Sequence, residues 1–360
     1  MSKKMKALII ILALLSVTGA SAAGFLGHPC FGRRMSKERK ARIELSPNYR
    51  DGMFHNQIPT PQFTGEKKGF SALWEFATGR KTDDRTPSEP IEVVKTDLHS
   101  LPTDKDWIVW FGHSSYLFCL DGKRYLVDPV LKMEFPITTM MRPFKGTDLY
   151  TPEDMPDIDV LIITHEHWDH LDYATLRDLR HKVKRAVCPL GVAEYLEYWK
   201  YDPAIITEMD WYDTVNLQLA TIHSKITCLP TRHFSNRLFK RNQTLWASFM
   251  VESGGRKVYV GGDGGYDQRF KKIFEQYGSV DLALMENGQY SQDWANIHLM
   301  PADLEKAILD LQAKQVFTVH HDKFALAKHA WTEPDSVARD IAQRHDVALL
   351  DQPIGTVVYY

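Results

Sequence analysis

The chain has 360 residues, 44% of them hydrophobic and 25% charged, ordinary values for a globular protein with a sizeable core. A formal net charge of −2 argues against the broadly basic surface that sequence-independent binding to nucleic acid needs. Four widely spaced cysteines (Cys30, Cys119, Cys188 and Cys228) include no CxxC pair, which argues against both a disulfide framework and a thiolate zinc site.

At the amino terminus, Lys3, Lys4 and Lys6 precede an apolar run from Ala7 to Val17 and then the small residues Gly19-Ala20-Ser21-Ala22-Ala23. A positive flank, a short apolar core and small residues at a cleavage point are the layout of a secretory signal peptide. The run falls short of the roughly 20 apolar residues of a spanning helix. Residues 1–23 are therefore expected to be a signal peptide or membrane anchor, with the protein exported, periplasmic or membrane-associated. From 24 to 92 there is no sustained periodicity, and this stretch is expected to wrap the core as an extension. Within it, Arg33, Arg34, Lys37, Arg39, Lys40 and Arg42 read as a solvated basic run, with peripheral contact to anionic lipid headgroups as the alternative. Short aromatic pieces such as Phe70 to Phe76 are expected to dock it, and 81–90 reads as a surface loop.

From 93 to 360 the pattern is that of one catalytic domain. Apolar β-prone runs recur at Trp107–Phe111, Tyr116–Leu120, Tyr125–Val127, Val160–Ile163, Ile226–Leu229, Leu245–Val251, Val258–Val260, Val280–Met285 and Val316–Val319. Helical patterns cover Tyr173–His181, Val192–Trp199, Gln268–Tyr277, Ala302–Leu311 and Pro334–Arg344. Asp121-Gly122 between two early runs is a tight hairpin signal. Hairpins first and strand–helix alternation later predict a mixed α/β sandwich with its helices outside.

The chemistry concentrates after the run Val160–Ile163, where His165, His167, Asp169 and His170 follow within one short loop. A divalent metal needs several lone-pair donors converging at about 2.0–2.2 Å. Alternate positions His165 and His167 can face one point, and Asp169 and His170 a second. Further candidates stand just after other strand-like runs: His233 after Ile226–Leu229, Asp263 after Val258–Val260, and His320 after Val316–Val319. Strand ends that converge on one rim bring such distant segments together.

The stretches SPNYRDGMFHN, FGHSSYLF, LVDPV, THEHWDHLD, TRHF, GGDGGY, IHLMPAD and HHDKFAL, from Ser46 to Leu326, resemble the metallo-β-lactamase superfamily. Within it the chain is most similar to the branch of N-acylphosphatidylethanolamine-hydrolysing phospholipase D and, more distantly, to ascorbate-6-phosphate lactonase. The resemblance implies an α/β fold, the αββα sandwich of that superfamily, with an N-terminal extension. It implies a first metal on His165, His167 and His233, and a second on Asp169, His170 and His320, with Asp263 bridging. A bridging hydroxide is the implied nucleophile. Asp128 matches an aspartate that orients a ligand histidine. Asp169 and His298 are the candidate catalytic groups, His298 as proton donor or phosphate contact. The neighbour of His320, His321, is the alternative ligand. His113 is read as a hydrogen-bonded structural histidine, a substrate contact being the alternative, and Trp168 as packing at the site wall. Glu286, where the branch tends to be apolar, is expected to disfavour an anionic diester.

The cofactors implied are two divalent metal ions, zinc by default, with manganese or iron compatible with the same donors. The function implied is hydrolysis of a phosphodiester such as an N-acylphosphatidylethanolamine-like phospholipid. The alternative is a lactone or amide hydrolase using the same metals to polarise a carbonyl. A di-iron redox enzyme is disfavoured, because the oxygen-reducing branch has a carboxylate where His167 stands. The expected partner is a small-molecule or phospholipid substrate, not nucleic acid.

Overall fold

The computed structural model describes residues 25–65, 84–134, 136–139, 141–219, 222–237 and 240–360. The segment 1–23 and the stretch Phe70 to Phe76 lie outside them. No helix of the described residues is long and apolar enough to cross a membrane.

Two mixed sheets carry the domain. The first is built from β3 (Trp107–Trp110), β4 (Tyr116–Leu120), β5 (Lys123–Val127), β6 (Val160–Ile162), β7 (Ala186–Pro189), β8 (Ile206–Met209) and the late β15 (Val357–Tyr359), in the order β15-β3-β4-β5-β6-β7-β8. The second comprises β9 (Thr214–Leu219), β10 (Ile222–Leu229), β11 (Ser248–Ser253), β12 (Arg256–Val260), β13 (Leu282–Glu286) and β14 (Gln315–Val319), in the order β14-β13-β12-β11-β10-β9. Each sheet starts as antiparallel hairpins and ends in parallel pairs. Asp121 and Gly122 turn the β4–β5 hairpin with φ of 52° and 72°, the doubly left-handed turn that matches strand twist.

Burial on both faces explains why these strands read as continuous apolar runs instead of alternating ones. Between the sheets, Ile108, Phe118, Tyr125 and Ile162 of the first meet Ile226, Phe249, Val258 and Leu284 of the second. The opposite face of the first sheet (Val109, Leu117, Leu126, Leu161) is covered by α2 (Tyr173–Leu179) and α3 (Ala193–Tyr198) through Leu176, Leu179 and Leu196. The opposite face of the second is covered by α4 (Arg269–Tyr277), α5 (Pro301–Leu311) and α6 (Glu333–His345) through Phe270, Ile273, Leu304, Leu311 and Ile341. The layers are thus helix, sheet, sheet, helix, the αββα sandwich.

Ahead of the sheets stand α1 (Lys37–Glu44), whose N-cap is Ser36, and a short hairpin of β1 (Tyr49–Arg50) and β2 (Met53–Phe54). Ile43 and Phe54 are buried in the core between the sheets. The basic run is solvated except at Arg39, whose side chain is largely buried; Arg33, Arg34, Lys37, Lys40 and Arg42 are exposed. Arg39 reaches Glu194 at 2.8 Å and Glu208 at 3.2 Å and also pairs with Glu197. Arg33 adds a second bond to Glu194, and Arg42 donates to the carbonyl of Glu208. Charge runs read as solvated when their partners are far along the chain; here the acidic partners of Arg39 lie 155 to 169 positions away.

Direction is what matters for function. Strands β3, β5 and β6 run the same way in one sheet, as do β10, β12, β13 and β14 in the other. Their carboxyl ends therefore lie on one side of each sheet, where ligand sites of such sheets form.

Candidate metal centre

Apart from His298, in the loop ahead of α5, the side chains of the site follow those strand ends: His113 after β3, Asp128 after β5, His165 to His170 after β6, His233 after β10, Asp263 after β12, Glu286 at the end of β13, and His320 after β14. The structure brings two groups of donors together, each with its ligand atoms within 4.8 Å of one another. One is His165, His167, His233 and Asp263; the other is His113, Asp169, His170 and His320. Asp263 lies between them. Its Oδ2 is 3.9 Å from His165 Nε2, 3.8 Å from His233 Nε2 and 3.2 Å from His170 Nε2, and its Oδ1 is 3.2 Å from His320 Nδ1.

Hydrogen bonds behind the rings fix which nitrogen faces inward. Asp128 accepts from Thr164 N at 2.8 Å and from Thr164 Oγ1 at 2.6 Å, and His170 Nδ1 lies 2.8 Å from the same carboxylate. Because Thr164 Oγ1 has given its proton to Asp128, it accepts from His165 Nδ1 at 3.0 Å. His233 Nδ1 donates to the carbonyl of Ile297 at 2.8 Å. The Nε2 atoms of His165, His170 and His233 are thereby left as converging lone pairs, and His170 Nε2 has no hydrogen-bond partner although it is buried. Lone pairs packed together repel, unless a cation or proton lies among them. The donor set thus fits divalent metals, and the carboxylate behind His170 is the arrangement that orients a metal-bound imidazole.

Burial first, then the positive rings around them, pushes His165 well below the ordinary imidazole range, and burial takes His167 down to about 4. Burial likewise lowers His233 and His320. Neutral imidazoles are the form that binds metal. His170 departs upward: burial opposes its charge, but Asp263, Asp169 and Asp128 outweigh it.

Two residues differ from the sequence expectations. His113 does not only brace the fold: its Nε2 lies 2.8 Å from Asp169 Oδ2 within the second group. The one available signal was its place after a strand, shared with the other ligands. Glu286 is not a free negative charge at the site. Its Oε1 accepts from Gly264 N and Leu299 N, both at 2.9 Å, and its Oε2 lies 2.8 Å from His298 Nδ1. Burial works against a charge on His298, but Glu286 prevails and holds it above the ordinary imidazole range. The His298 ring lies 5.1 Å from that of His233 and 5.3 Å from that of His320, at the edge of the cluster. Of the two adjacent histidines, His320, the favoured ligand, joins the rim, while His321 turns away from it.

The sequence reading passed over Asn56 and Arg237. Asn56 Nδ2 donates to the carbonyl of His233 at 2.7 Å, and its Oδ1 accepts from His233 N, so the extension grips that segment. Arg237 is buried, donates to the carbonyls of Glu166 and Cys30, and lies 4.0 Å above the Trp168 ring. Two backbone segments distant in sequence are tied to the 165–170 loop in this way.

Comparison with known proteins agrees with this geometry. The family profile of the β-lactamase superfamily domain matches residues 123–321. An uncharacterized protein of Mycobacterium tuberculosis, Rv0906, is 34% identical over 305 residues, 82% of this chain and 79% of that one. N-acyl-phosphatidylethanolamine-hydrolyzing phospholipase D 1 of Caenorhabditis elegans is 27% identical over 282 residues, 71% of this chain and 77% of its own. Among solved structures, the metallo hydrolase Igni18 of Ignicoccus hospitalis superposes with a TM-score of 0.53 at 18% identity, covering 71% of this chain and 98% of the other. The chain belongs to the metallo-β-lactamase superfamily and is a hydrolase of that family.

Proposed function

We propose that this protein is a dinuclear metal-dependent phosphodiesterase acting on a phospholipid of the N-acylphosphatidylethanolamine kind. The observation that carries the reading is two donor groups sharing one carboxylate, Asp263, with a carboxylate-held histidine, His298, at their edge. Similarity to a phospholipase of that specificity supports the substrate class.

His165, His167 and His233 would hold one ion and Asp169, His170 and His320 the other, with Asp263 between them and His113 steadying Asp169. A pair of divalent ions there would supply a nucleophile from water at neutral pH and neutralise charge developing on the phosphoryl oxygens. The chain's own part is positional. Asp128 keeps the proton of His170 on Nδ1, and Ile297 keeps that of His233 on Nδ1. Glu286 holds His298 above the ordinary imidazole range, so that its Nε2 proton would serve a phosphoryl oxygen or a departing alkoxide. A cationic donor at that place favours an anionic diester over a neutral lactone.

The amino-terminal layout supports export, and sequencing the mature amino terminus tests it. For the activity, metal-loaded protein is assayed against N-acylphosphatidylethanolamine vesicles, generic phosphodiesters and lactones. Diester cleavage is expected, with phosphatidic acid as the lipid product. Lactone opening without any diester cleavage would overturn the assignment.

A further inference from the structure

His321 and Asp322, directly after His320, face Asp335 in the first turn of α6. Their ligand atoms form a separate cluster within 4.8 Å of one another, sharing no residue with the two groups at the rim. His321 is 3% exposed. Its Nε2 lies 3.4 Å from Thr318 Oγ1, while its Nδ1 has no hydrogen-bond partner and points at the carboxylates, 3.3 Å from Asp322 Oδ1 and 3.6 Å from Asp335 Oδ1. Asp322 Oδ1 is a second buried atom without a hydrogen bond.

We propose that His321, Asp322 and Asp335 form a further metal site, distinct from the pair at the rim, that takes one divalent ion of the zinc type. Two carboxylates and an imidazole are a donor set that zinc accepts. The spacing agrees as well. Ligand atoms at about 2.0–2.2 Å from a tetrahedral ion stand roughly 3.3–3.6 Å apart, and the two separations from His321 Nδ1 are 3.3 and 3.6 Å. A small cavity of about 10 Å³ adjoins His321 and Asp322. Arg85 also lines it. Nearby Asp351 is already paired with Arg339. An ion here would staple the first turn of α6 to the segment that carries His320.

The site stands independently of the phosphodiesterase reading. Its test uses the full chain stripped by a chelator and titrated with Zn²⁺ alone, with bound metal counted by native mass spectrometry and elemental analysis. Wild type is expected to take up one equivalent more than Asp335→Asn or His321→Gln. The comparison is a difference, so it reads the same whether the rim holds two ions, one or none. Asp335 is partly exposed, and a circular-dichroism melt checks that its variants fold. As a second measurement, Asp335→Cys loaded with Co²⁺ is expected to show a thiolate-to-cobalt charge-transfer band absent from wild type, whose four cysteines are buried and belong to no donor cluster. Equal zinc counts in wild type and Asp335→Asn, or no such band, would overturn the proposal and leave a proton between His321 and the carboxylates.

Discussion

Replacing Asp128 by asparagine tests how the site fixes its ligand nitrogens. The carboxylate now accepts three protons: from Thr164 N at 2.8 Å, Thr164 Oγ1 at 2.6 Å and His170 Nδ1 at 2.8 Å. An asparagine keeps one acceptor for Thr164 N, and the threonine hydroxyl can rotate. The amide NH2 then confronts the Nδ1 proton of His170, donor against donor. The imidazole relieves the clash by moving its proton to Nε2, the atom that faces Asp263 at 3.2 Å. That removes a metal-binding lone pair without removing an atom from the site. A hydrogen bond to a charged group contributes about 1.5–3 kcal/mol, which corresponds to roughly a 10- to 150-fold loss in affinity for one ion, close to what lost outer-shell partners cost. Chelator-competition titration of Asp128→Asn should therefore show one ion weakened by that factor and the other held nearly as before. Wild-type affinity for both ions would refute the reasoning, since it would mean that the tautomer of His170 does not depend on Asp128.

Three further outcomes are expected. Glu286→Gln removes the charge that raises His298, so the alkaline limb of the pH–kcat profile should move to lower pH; an unmoved limb would separate His298 from proton donation. Arg39→Ala leaves Glu194 and Glu208, whose side chains are 4% and 3% exposed, with weaker compensation from Arg33 and Arg42. Breaking a buried pair costs about 3–5 kcal/mol, and urea unfolding should show a loss near the lower figure; a change under about 0.5 kcal/mol would mark the clamp as incidental. Metal-free protein should lose stability on acidification. Burial lowers His167 from 6.5 to about 4 and lowers His165, His233 and His320 too. The unfolded chain then binds more protons, so their stabilisation is present above about pH 6.5 and lost as pH falls toward about 4. His170 acts in the opposite sense, its contribution being complete below about pH 6.5. Calorimetry showing a higher Tm at pH 4.5 than at pH 7 would contradict the balance drawn here.

Much of this was legible in the sequence, for a definite reason. Strands buried on both faces, such as Tyr116–Leu120, write themselves as unbroken apolar runs, and Asp121-Gly122 names its own turn. Six strands escaped notice: Tyr49–Arg50, Met53–Phe54, Ala186–Pro189, Ile206–Met209, Thr214–Leu219 and Val357–Tyr359, the third of them although it is buried throughout. Thr214–Leu219 alternates between exposed and buried positions at the sheet edge, and Val357–Tyr359 is only three residues long. The loop from His165 to His170 was legible because its donors are adjacent. His113 was not, because its meaning depends on Asp169, 56 positions away. Glu286 was misread for a related cause: a carboxylate's effect on a substrate depends on who shares its charge, and the partner, His298, is not a neighbour in sequence.

The same dependence explains why the amino-terminal extension belongs to the site and is no mere covering. The rim is assembled from the ends of strands in two sheets, and strand ends are where backbone is least restrained by the ladder. Something must hold them in register to the fraction of an ångström that metal geometry demands. Asn56 does this for His233 through both of its amide atoms. Ile43 and Phe54 anchor that segment in the core between the sheets, and Arg39 ties it to α3 and to β8, the edge strand of the first sheet. Asn56→Ala should accordingly weaken metal binding at the His165, His167 and His233 group more than at the other, by about tenfold on the scale of lost outer-shell partners. Equal weakening of both groups in a chelator titration would instead mean that the extension acts through overall stability, not through His233.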